Sequence, residues 1–430
     1  MSNPTKVALI AMGCEKNIIN SEQMLYLLDQ AGFTLVGSPA EADVTVVNTC
    51  AFIEGARQEA REQIAEVIET GSKVILAGCY AQLTKSGGQL AMKVDGLVGT
   101  GSFDGVADAV QAVLDGQSPV YFGELDAAVS ETPRLRTGPA HTAFLKIAEG
   151  CDNHCSYCVI PSLRGPFRPR PPHAILDEAE ALVQSGASEL ILVAQDVTRY
   201  PSLPELLNDL CRLGGLRRLR LHYLYPELVS DALIETIAAQ PKIARYLDIP
   251  MQHASDRVLA AMNRRYTRAD LEQLVETLRE KIPGVVLRTS VIVGFPGETK
   301  DDFEELCEFL RWARMPRVGI FAYSREDGTA AAALPLQVTE KVKHQRKKRA
   351  EILQSRIIDD FNREREGSVT EVLTEGYDRY AGLYFGRSEA ESPEVDGLIF
   401  FSSDRPLAAG EWVNVLLDGA IGGDGRGRRV

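Results

Sequence analysis

Residues 149–158 read EGCDNHCSYC and place three thiols, those of Cys151, Cys155 and Cys158 (the loop triad), within eight residues. No fourth cysteine lies nearby, whereas a structural zinc site is a closed tetrahedron that needs four protein ligands. A site with three thiolates leaves one coordination position open, so an iron–sulfur cluster held in this way has one iron free to bind a small molecule. The stretch therefore predicts a metal centre that performs chemistry.

Other interpretations of this stretch remain open. His154 could complete a zinc site as the fourth ligand. Cysteines in an intracellular protein are mostly small buried hydrophobic residues, but the polar neighbours here are not typical of a core. A disulfide framework is disfavoured because nothing marks the protein as secreted.

Composition limits the classes of protein to which the chain can belong. A length of 430 residues predicts two or three domains, and the apolar fraction of 45% allows large cores. No stretch has the roughly 18 apolar residues of a membrane span, and no signal-peptide cleavage region follows the first apolar run, so a cytoplasmic protein is expected. The net charge of −13 disfavours a general nucleic-acid binder and favours a basic partner, although solubility alone also explains it.

Three further cysteines, Cys14, Cys50 and Cys79 (the amino-terminal triad), each follow a predicted strand. Residues 1–118 alternate apolar strands with helices, which predicts a parallel sheet covered on both faces. Because the carboxyl ends of parallel strands share one edge, where open α/β sheets bind ligands, we expect these thiols to converge on a metal site. Each cysteine alone would be better explained as core filling. The predicted strands are 7–12, 43–48 and 73–77, with helices over about 21–31 and 54–70.

The remainder divides into a linker, a larger α/β region and a small β region. Residues 119–140 have the Pro, Gly and Arg content of a linker. Residues 141–364 repeat strand and helix in six units, which predicts an open partial barrel. Residues 365–430 show short strands with turn signals, typical of a small all-β barrel. The predicted strands are 143–148, 189–195, 218–222, 245–250, 286–292 and 318–323, then 368–374, 381–385, 397–401 and 412–417, with a charged helix over 338–364 between the two sets.

The spacing of the loop triad, with the aromatic Tyr157 before its last cysteine, resembles the signature of the radical S-adenosylmethionine (radical SAM) superfamily. The resemblance implies a partial (β/α)6 barrel and a 4Fe–4S cluster whose open iron chelates SAM. It also implies reductive cleavage of SAM to methionine and a 5′-deoxyadenosyl radical, which side chains alone cannot achieve. Tyr157 is expected to lie near the adenine.

Residues at other strand ends are candidates for SAM contacts. Gln195 follows a predicted strand at the carboxyl-terminal mouth, where βα-loops build active sites. Gly294, Gly297 and Glu298 stand in the run GFPGE, whose glycines give backbone amides room to meet SAM. Ordinary loop chemistry explains these residues equally well. Four basic side chains flank the loop triad and are candidates for binding a carboxylate, or are simply solvated: Lys146, Arg164, Arg168 and Arg170.

The order of the three regions resembles the methylthiotransferase family. In that family the amino-terminal cysteines bind a second 4Fe–4S cluster, which holds or donates the inserted sulfur, and the resemblance gives this role to the amino-terminal triad. The implied organisation is a methylthiotransferase domain (1–118), a linker (119–140), a radical SAM domain (141–364) and a TRAM-like β-barrel (365–430).

Sequence details resemble the branch that modifies an aspartate of small-subunit ribosomal protein uS12. They include GCEKN at 13–17, AQDVTRY at 194–200 and SPEVDG at 392–397, with Glu15 where that branch commonly has Pro. The resemblance implies insertion of a methylthio group at the aspartate β-carbon, with a flavodoxin or ferredoxin as electron donor. Thirteen acidic and seven basic side chains in residues 364–430 give about −6, which suits a basic protein better than tRNA.

Two alternative functions remain open. The nearer one is a tRNA adenosine methylthiotransferase with the same chemistry. The other is a non-enzymatic iron–sulfur or zinc scaffold that docks on ribosomes.

The iron content distinguishes one cluster from two. Anaerobically purified wild-type protein should hold about eight irons, and replacement of either triad by alanine should leave about four, because each triad holds one 4Fe–4S cluster. Iron and acid-labile sulfide analysis measures both. Zinc in place of iron, or about four irons in the wild type, would contradict the two-cluster expectation.

Overall fold

The amino-terminal sheet is built from short apolar strands. The strands are β1 (Lys6–Ala11), β2 (Thr34–Leu35), β3 (Val44–Thr49), β4 (Lys73–Gly78), β5 (Gly96–Val98) and β6 (Val120–Tyr121). The helices are α1 (Glu15–Gln30), α2 (Glu54–Glu69), α3 (Cys79–Lys85) and α4 (Val106–Leu114). In the computed structural model, which describes residues 4–85, 87–88, 90 and 92–430, all six strands are parallel, in the order β2-β1-β3-β4-β5-β6. Every residue of β3 is buried, as expected for a central strand between two helical layers.

The central region is an open parallel sheet. Its strands are β7 (Thr142–Lys146), β10 (Glu189–Val193), β11 (Arg218–Leu221), β12 (Ile243–Asp248), β13 (Val286–Val293) and β14 (Arg317–Ala322), and β8 (Ala148–Glu149) and β9 (Arg168–Pro169) form a separate short pair. The helices are α5 (Ile160–Arg164), α6 (Pro172–Gln184), α7 (Leu203–Cys211), α8 (Asp231–Ala239), α9 (Asp256–Ala261), α10 (Arg268–Lys281) and α11 (Lys300–Ala313). The strand order β7-β10-β11-β12-β13-β14 follows the chain, which confirms the partial (β/α)6 barrel. Cys211 and Cys307 are buried in helices, as expected for structural cysteines.

The carboxyl-terminal region is a closed barrel that follows a long helix. The elements are α12 (Glu340–Glu364), β15 (Val369–Asp378), β16 (Leu383–Arg387), β17 (Ile399–Ser402), β18 (Trp412–Ile421) and β19 (Asp424–Arg429). The barrel order is β15-β16-β17-β19-β18, so the all-β prediction is confirmed, but the sequence analysis missed β19. Its signal was the Gly422-Gly423 turn, where both residues have positive φ, as a two-residue hairpin requires. None of the described helices is both long and apolar enough to span a membrane.

The inner face of the central sheet is covered by the two outer regions. From the amino-terminal region, Ile19 of α1 packs against Ile191 and Val193 of β10. From the barrel, the segment 387–396 between β16 and β17 enters at the amino ends of the strands. The two coverings meet at His222, which lies 3.7 Å from Glu15 of α1 and forms a hydrogen bond of 2.7 Å with Ser392 of the segment 387–396.

The segment 387–396 is held by buried ion pairs. The carboxylate of Glu189 accepts hydrogen bonds from Arg220 (2.8 Å) and Arg387 (2.7 Å), and all three side chains are at most 1% exposed. Closer to the carboxyl ends of the strands, the Tyr246 hydroxyl donates a hydrogen bond to Asp396 (2.6 Å). The all-β barrel is therefore fixed to the central sheet.

Residues 119–140, expected to form a linker, contribute structure. They include β6, the edge strand of the first sheet. Arg134 pairs with Glu22 of α1 at 3.0 Å and donates to the Phe144 carbonyl of β7. This segment therefore ties the amino-terminal region to the central sheet.

Removing the Glu189 carboxylate should destabilise the protein strongly. Glu189→Ala leaves the guanidinium groups of Arg220 and Arg387 short of their buried counter-charge, which costs about 3–5 kcal/mol. Asp418→Ala is the matched control, because Asp418 pairs with Arg426 on the exposed surface of β18 and β19 and its loss costs less than about 1 kcal/mol. Calorimetry should show a thermal midpoint lowered by several degrees for Glu189→Ala alone; equal midpoints for the two variants would contradict the prediction.

Candidate active site

The three thiols of the amino-terminal triad stand at the carboxyl edge of the first sheet. Cys14 precedes α1, Cys50 follows β3 and Cys79 begins α3. Gly13 has φ +91°, and a Cβ there would lie 2.7 Å from the Cβ of Cys50, so only glycine allows the first turn to approach the second so closely. The predicted convergence of the three strand ends is therefore present in the structure.

Asn17 of α1 fastens these three turns together. Its side-chain amide donates to the carbonyls of Met12 and Thr49, both at 2.9 Å, and its Oδ1 lies 4.0 Å from the Cys79 sulfur. Met12 and Thr49 are close in sequence to Cys14 and Cys50, respectively. One buried side chain thus sets the spacing of all three cysteine turns.

The loop that carries the loop triad is constrained at Gly150, where it begins, and is hydrogen-bonded at its centre to Met262 and Asn263. Gly150 has φ +80°, and a Cβ there would lie 1.9 Å from the carbonyl oxygen of Pro166, so a side chain cannot be accommodated. The loop is anchored by Ser156, whose amide donates to the Met262 carbonyl at 3.1 Å. Asn263 donates to the His154 carbonyl at 2.8 Å, and the His154 side chain is exposed to solvent.

All six cysteines carry free thiols. Burial raises the pKa of Cys50 and Cys151 to about 11 and that of Cys158 to about 12. Such thiols stay protonated unless a cation binds them. In the described part of the chain, no group of three or more Cys, His, Asp or Glu side chains is placed to hold one metal ion. Three thiolates without a fourth cysteine nearby suit a 4Fe–4S cluster, in which each thiolate binds a different iron and one iron stays open.

Beside the loop triad, aromatic rings surround the buried cation of Arg264. Its guanidinium donates to the Tyr157 hydroxyl (2.6 Å) and lies 4.4 Å from the centre of the Tyr225 ring, whose hydroxyl is 3.8 Å from the Cys155 sulfur. The Nε and Nη1 atoms of Arg264 have no hydrogen-bond partner among the described residues. These two buried donors fit an anionic ligand beside the thiols, such as the carboxylate of SAM.

Gln195 joins a buried polar network rather than facing a ligand alone. Its amide donates to Glu149 (2.7 Å), which also binds Lys146 (3.1 Å) and Arg164 (3.1 Å). Burial would raise the pKa of Glu149, but the two cations hold it well below its usual range. The Oε1 atom of Gln195 has no partner in the described chain and remains the part of this residue that suits a ligand. Of the other predicted carboxylate binders, Arg168 donates to backbone carbonyls and Arg170 pairs with Glu131 and Glu178.

The run 294–298 forms a turn that Glu298 holds from within. The Glu298 carboxylate accepts the amides of Gly294 (2.5 Å) and Phe295 (3.1 Å) and pairs with Arg346 of α12 (2.8 Å). Gly297 is fixed by the hydrogen bond that its backbone N–H donates to the Leu336 carbonyl (2.9 Å). The structure thus gives Glu298 a role in shaping this turn.

Two elements connect the triads. The helix α5, which directly follows the loop triad, packs its Leu163 into the cluster of apolar residues that contains Cys79. Arg164, also on α5, donates to Glu149 of the central region and to Asn17 and Asn20 of α1. The surroundings of both triads therefore meet at one domain boundary.

Known proteins match the same three regions. The radical SAM superfamily matches residues 145–310, the uncharacterized protein family UPF0004 matches 6–99 and the TRAM domain matches 367–430. The chain is 46% identical to the ribosomal protein uS12 methylthiotransferase RimO of Pelotomaculum thermopropionicum over 99% of both chains. The chain belongs to the RimO family of radical SAM methylthiotransferases. It is 44% identical to the RimO of Desulforudis audaxviator, over 97% of this chain and 95% of the relative.

Solved structures agree at the level of the fold. The radical SAM methyltransferase TsrM of Kitasatospora setae, solved with cobalamin and a 4Fe–4S cluster, aligns with a TM-score of 0.59 and 16% identity over 76% of this chain and 77% of that one. Membership of the radical SAM superfamily implies a 4Fe–4S cluster and SAM for this RimO-family chain as well.

The sequence analysis missed several residues that build this site. Arg264 and Tyr225 lie in no recognised motif, and Glu149 was quoted only as the start of the run EGCDNHCSYC. Lys16 was quoted only within the run GCEKN, and its burial beside Cys14 could not be foreseen from a charged helix start.

The buried carboxyl of Glu298 predicts a pH-dependent stability. Burial raises its pKa from 4.5 to about 7, against the opposing effect of Arg346. Between these values the folded protein binds this proton more tightly than the unfolded chain does, so the free energy of unfolding falls as pH rises through that window. Thermal midpoints measured from pH 5 to 8 should fall more steeply for the wild type than for Glu298→Gln. Identical slopes would contradict the prediction.

Proposed function

We propose that this RimO-family enzyme attaches a methylthio group to the β-carbon of an aspartate in ribosomal protein uS12. The observation that carries the proposal is the similarity to uS12 methylthiotransferases along nearly the whole chain, combined with two thiol triads at one domain boundary. The acidic barrel region, at about −6, suits a basic ribosomal protein. We therefore expect no direct tRNA substrate.

The loop triad is proposed to hold the radical SAM cluster, and the amino-terminal triad a second 4Fe–4S cluster. When bound, these groups and SAM supply a 5′-deoxyadenosyl radical, which removes hydrogen from carbon, and the methylthio sulfur that replaces it. Tyr157, Gln195 and the turn 294–298 are proposed to line the SAM site.

The work of the protein itself is placement and exclusion of water. Hydrogen abstraction by a carbon radical needs no general base, so the rate depends on how closely donor and acceptor are held. Arg164 and Asn17 hold the two thiol surroundings in register. The coverings by α1 and by the segment 387–396 keep water from the inner face of the sheet.

The remaining expectations follow from the same proposal. A flavodoxin or ferredoxin is proposed as electron donor, and the enzyme is proposed to act in the cytoplasm. The domains are proposed to span 1–118, 141–364 and 365–430, with 119–140 between them.

The proposal is tested with reconstituted protein, a reductant, SAM and purified uS12. Mass spectrometry should show a methylthio group on one aspartate of uS12, and bulk tRNA from a deletion strain should keep its methylthioadenosine content. Loss of that tRNA modification with unchanged uS12 would favour the tRNA alternative and refute the proposal.

Loss of one cysteine from each triad should block a different step of the reaction. Cys155→Ala should abolish SAM cleavage, because two thiolates no longer hold the cluster whose open iron binds SAM. Cys50→Ala should spare 5′-deoxyadenosine formation and stop insertion of sulfur. Chromatography of 5′-deoxyadenosine together with mass spectrometry of uS12 measures both steps. Cys211→Ala is the matched control, since this cysteine is buried at the end of α7 and belongs to neither triad. Methylthio product from Cys50→Ala would refute the second cluster site.

A further inference from the structure

Lys16 carries a buried positive charge beside the amino-terminal triad. The residue is only 6% exposed, although it stands in the first turn of α1, two positions after Cys14. Its ammonium lies 3.5 Å from a Glu15 oxygen and 3.6 Å from the centre of the Tyr223 ring. A lysine is rarely buried unless its charge is matched, so this position requires an explanation.

The contacts within the protein do not satisfy all the N–H donors of the Lys16 ammonium. An ammonium has three N–H donors, and among the described residues its neighbours are the Glu15 carboxylate, at the long distance of 3.5 Å, and the Tyr223 side chain. Glu15 is itself occupied, because it accepts the Tyr223 hydroxyl at 2.9 Å and lies 3.7 Å from His222. Adjacent residues on a helix do not face each other, so Glu15 is a poor structural partner for Lys16. At least one donor is left for a ligand.

The ammonium stands beside the amino-terminal triad and contacts a loop that reaches the loop triad. On one side is Cys14, on the same helix start. On the other is Tyr223, which belongs to the same short loop as Tyr225, whose hydroxyl lies 3.8 Å from the Cys155 sulfur. A ligand bound by Lys16 would therefore be positioned beside the amino-terminal triad and against the loop that contacts Cys155.

We propose that Lys16 is the specificity residue that binds the side-chain carboxylate of the target aspartate. This inference rests on the proposed function. The β-carbon of aspartate is bonded directly to its carboxyl group, so a cation that binds this carboxylate beside Cys14 fixes the reacting carbon next to the sulfur site. A buried cation also discriminates by charge, because the isosteric asparagine offers no anion to match it.

The test is a two-by-two comparison of protein and peptide. The proteins are wild type and Lys16→Met, and the probes are synthetic uS12 peptides with Asp or Asn at the target position. The wild type should bind the Asp peptide roughly 10- to 100-fold more tightly, the range expected for a hydrogen bond to a charged group. Lys16→Met should lose this preference by weakening only the Asp peptide. Lys16→Arg, which keeps the charge, should retain part of it.

Controls separate recognition from assembly. Lys73→Met replaces a lysine at the opposite end of the same sheet, where its ammonium binds the Val113 carbonyl, and should keep the full preference. Iron content should be unchanged in both Lys16 variants, so that a lost preference reports on recognition. A preference for Asp that survives in Lys16→Met, or iron lost from both Lys16 variants, would overturn the inference alone. A wild type that modifies no uS12 would refute the proposed function, and the inference with it.

Discussion

The buried guanidinium of Arg164 is the interaction on which the geometry of the site depends. It binds Glu149, which stands two residues before the loop triad, and Asn17, which fastens the amino-terminal triad. Hydrogen bonds between charged groups are roughly twice as strong as neutral ones, and a low dielectric strengthens them further. The guanidinium also opposes the effect of burial, which raises the pKa of the Cys79 thiol. One side chain thus links the two triads mechanically and electrostatically.

The central sheet is incomplete by itself, and its neighbours complete it. Successive side chains of a strand point to opposite faces, so the polar face formed by residues such as Glu189, Arg220 and His222 would otherwise be open to water. Helix α1 covers the part of this face towards the carboxyl ends of the strands, and the segment 387–396 covers the part at their amino ends. The contact of His222 with Glu15 on one side and Ser392 (2.7 Å) on the other joins all three regions. The open barrel is therefore closed by non-local contacts rather than by a further strand.

The sequence predicts features that follow from the periodicity of apolar residues, or from the edge at which parallel strands end. The six central strands and the convergence of Cys14, Cys50 and Cys79 follow from alternation and from the rule that parallel strands end together. The residues that could not be predicted act through distant partners: Arg264 meets Tyr157 and Tyr225 only after folding. The strand β19 was missed because its glycines and arginines lack an apolar pattern, although the Gly422-Gly423 turn marked it. The hydrogen bonds that the Glu298 carboxylate accepts within its own turn could not be read from the run GFPGE either, and its contact with SAM stays a prediction.

The insertion of the segment 387–396 has a consequence for biosynthesis. Chains fold largely in the order in which the ribosome releases them. The amino-terminal sheet and all six central strands precede this segment in the chain. The inner face of the central sheet, at the amino ends of its strands, therefore remains exposed to water until translation is nearly complete. The last stage of maturation is therefore the sealing of an already formed catalytic region from below.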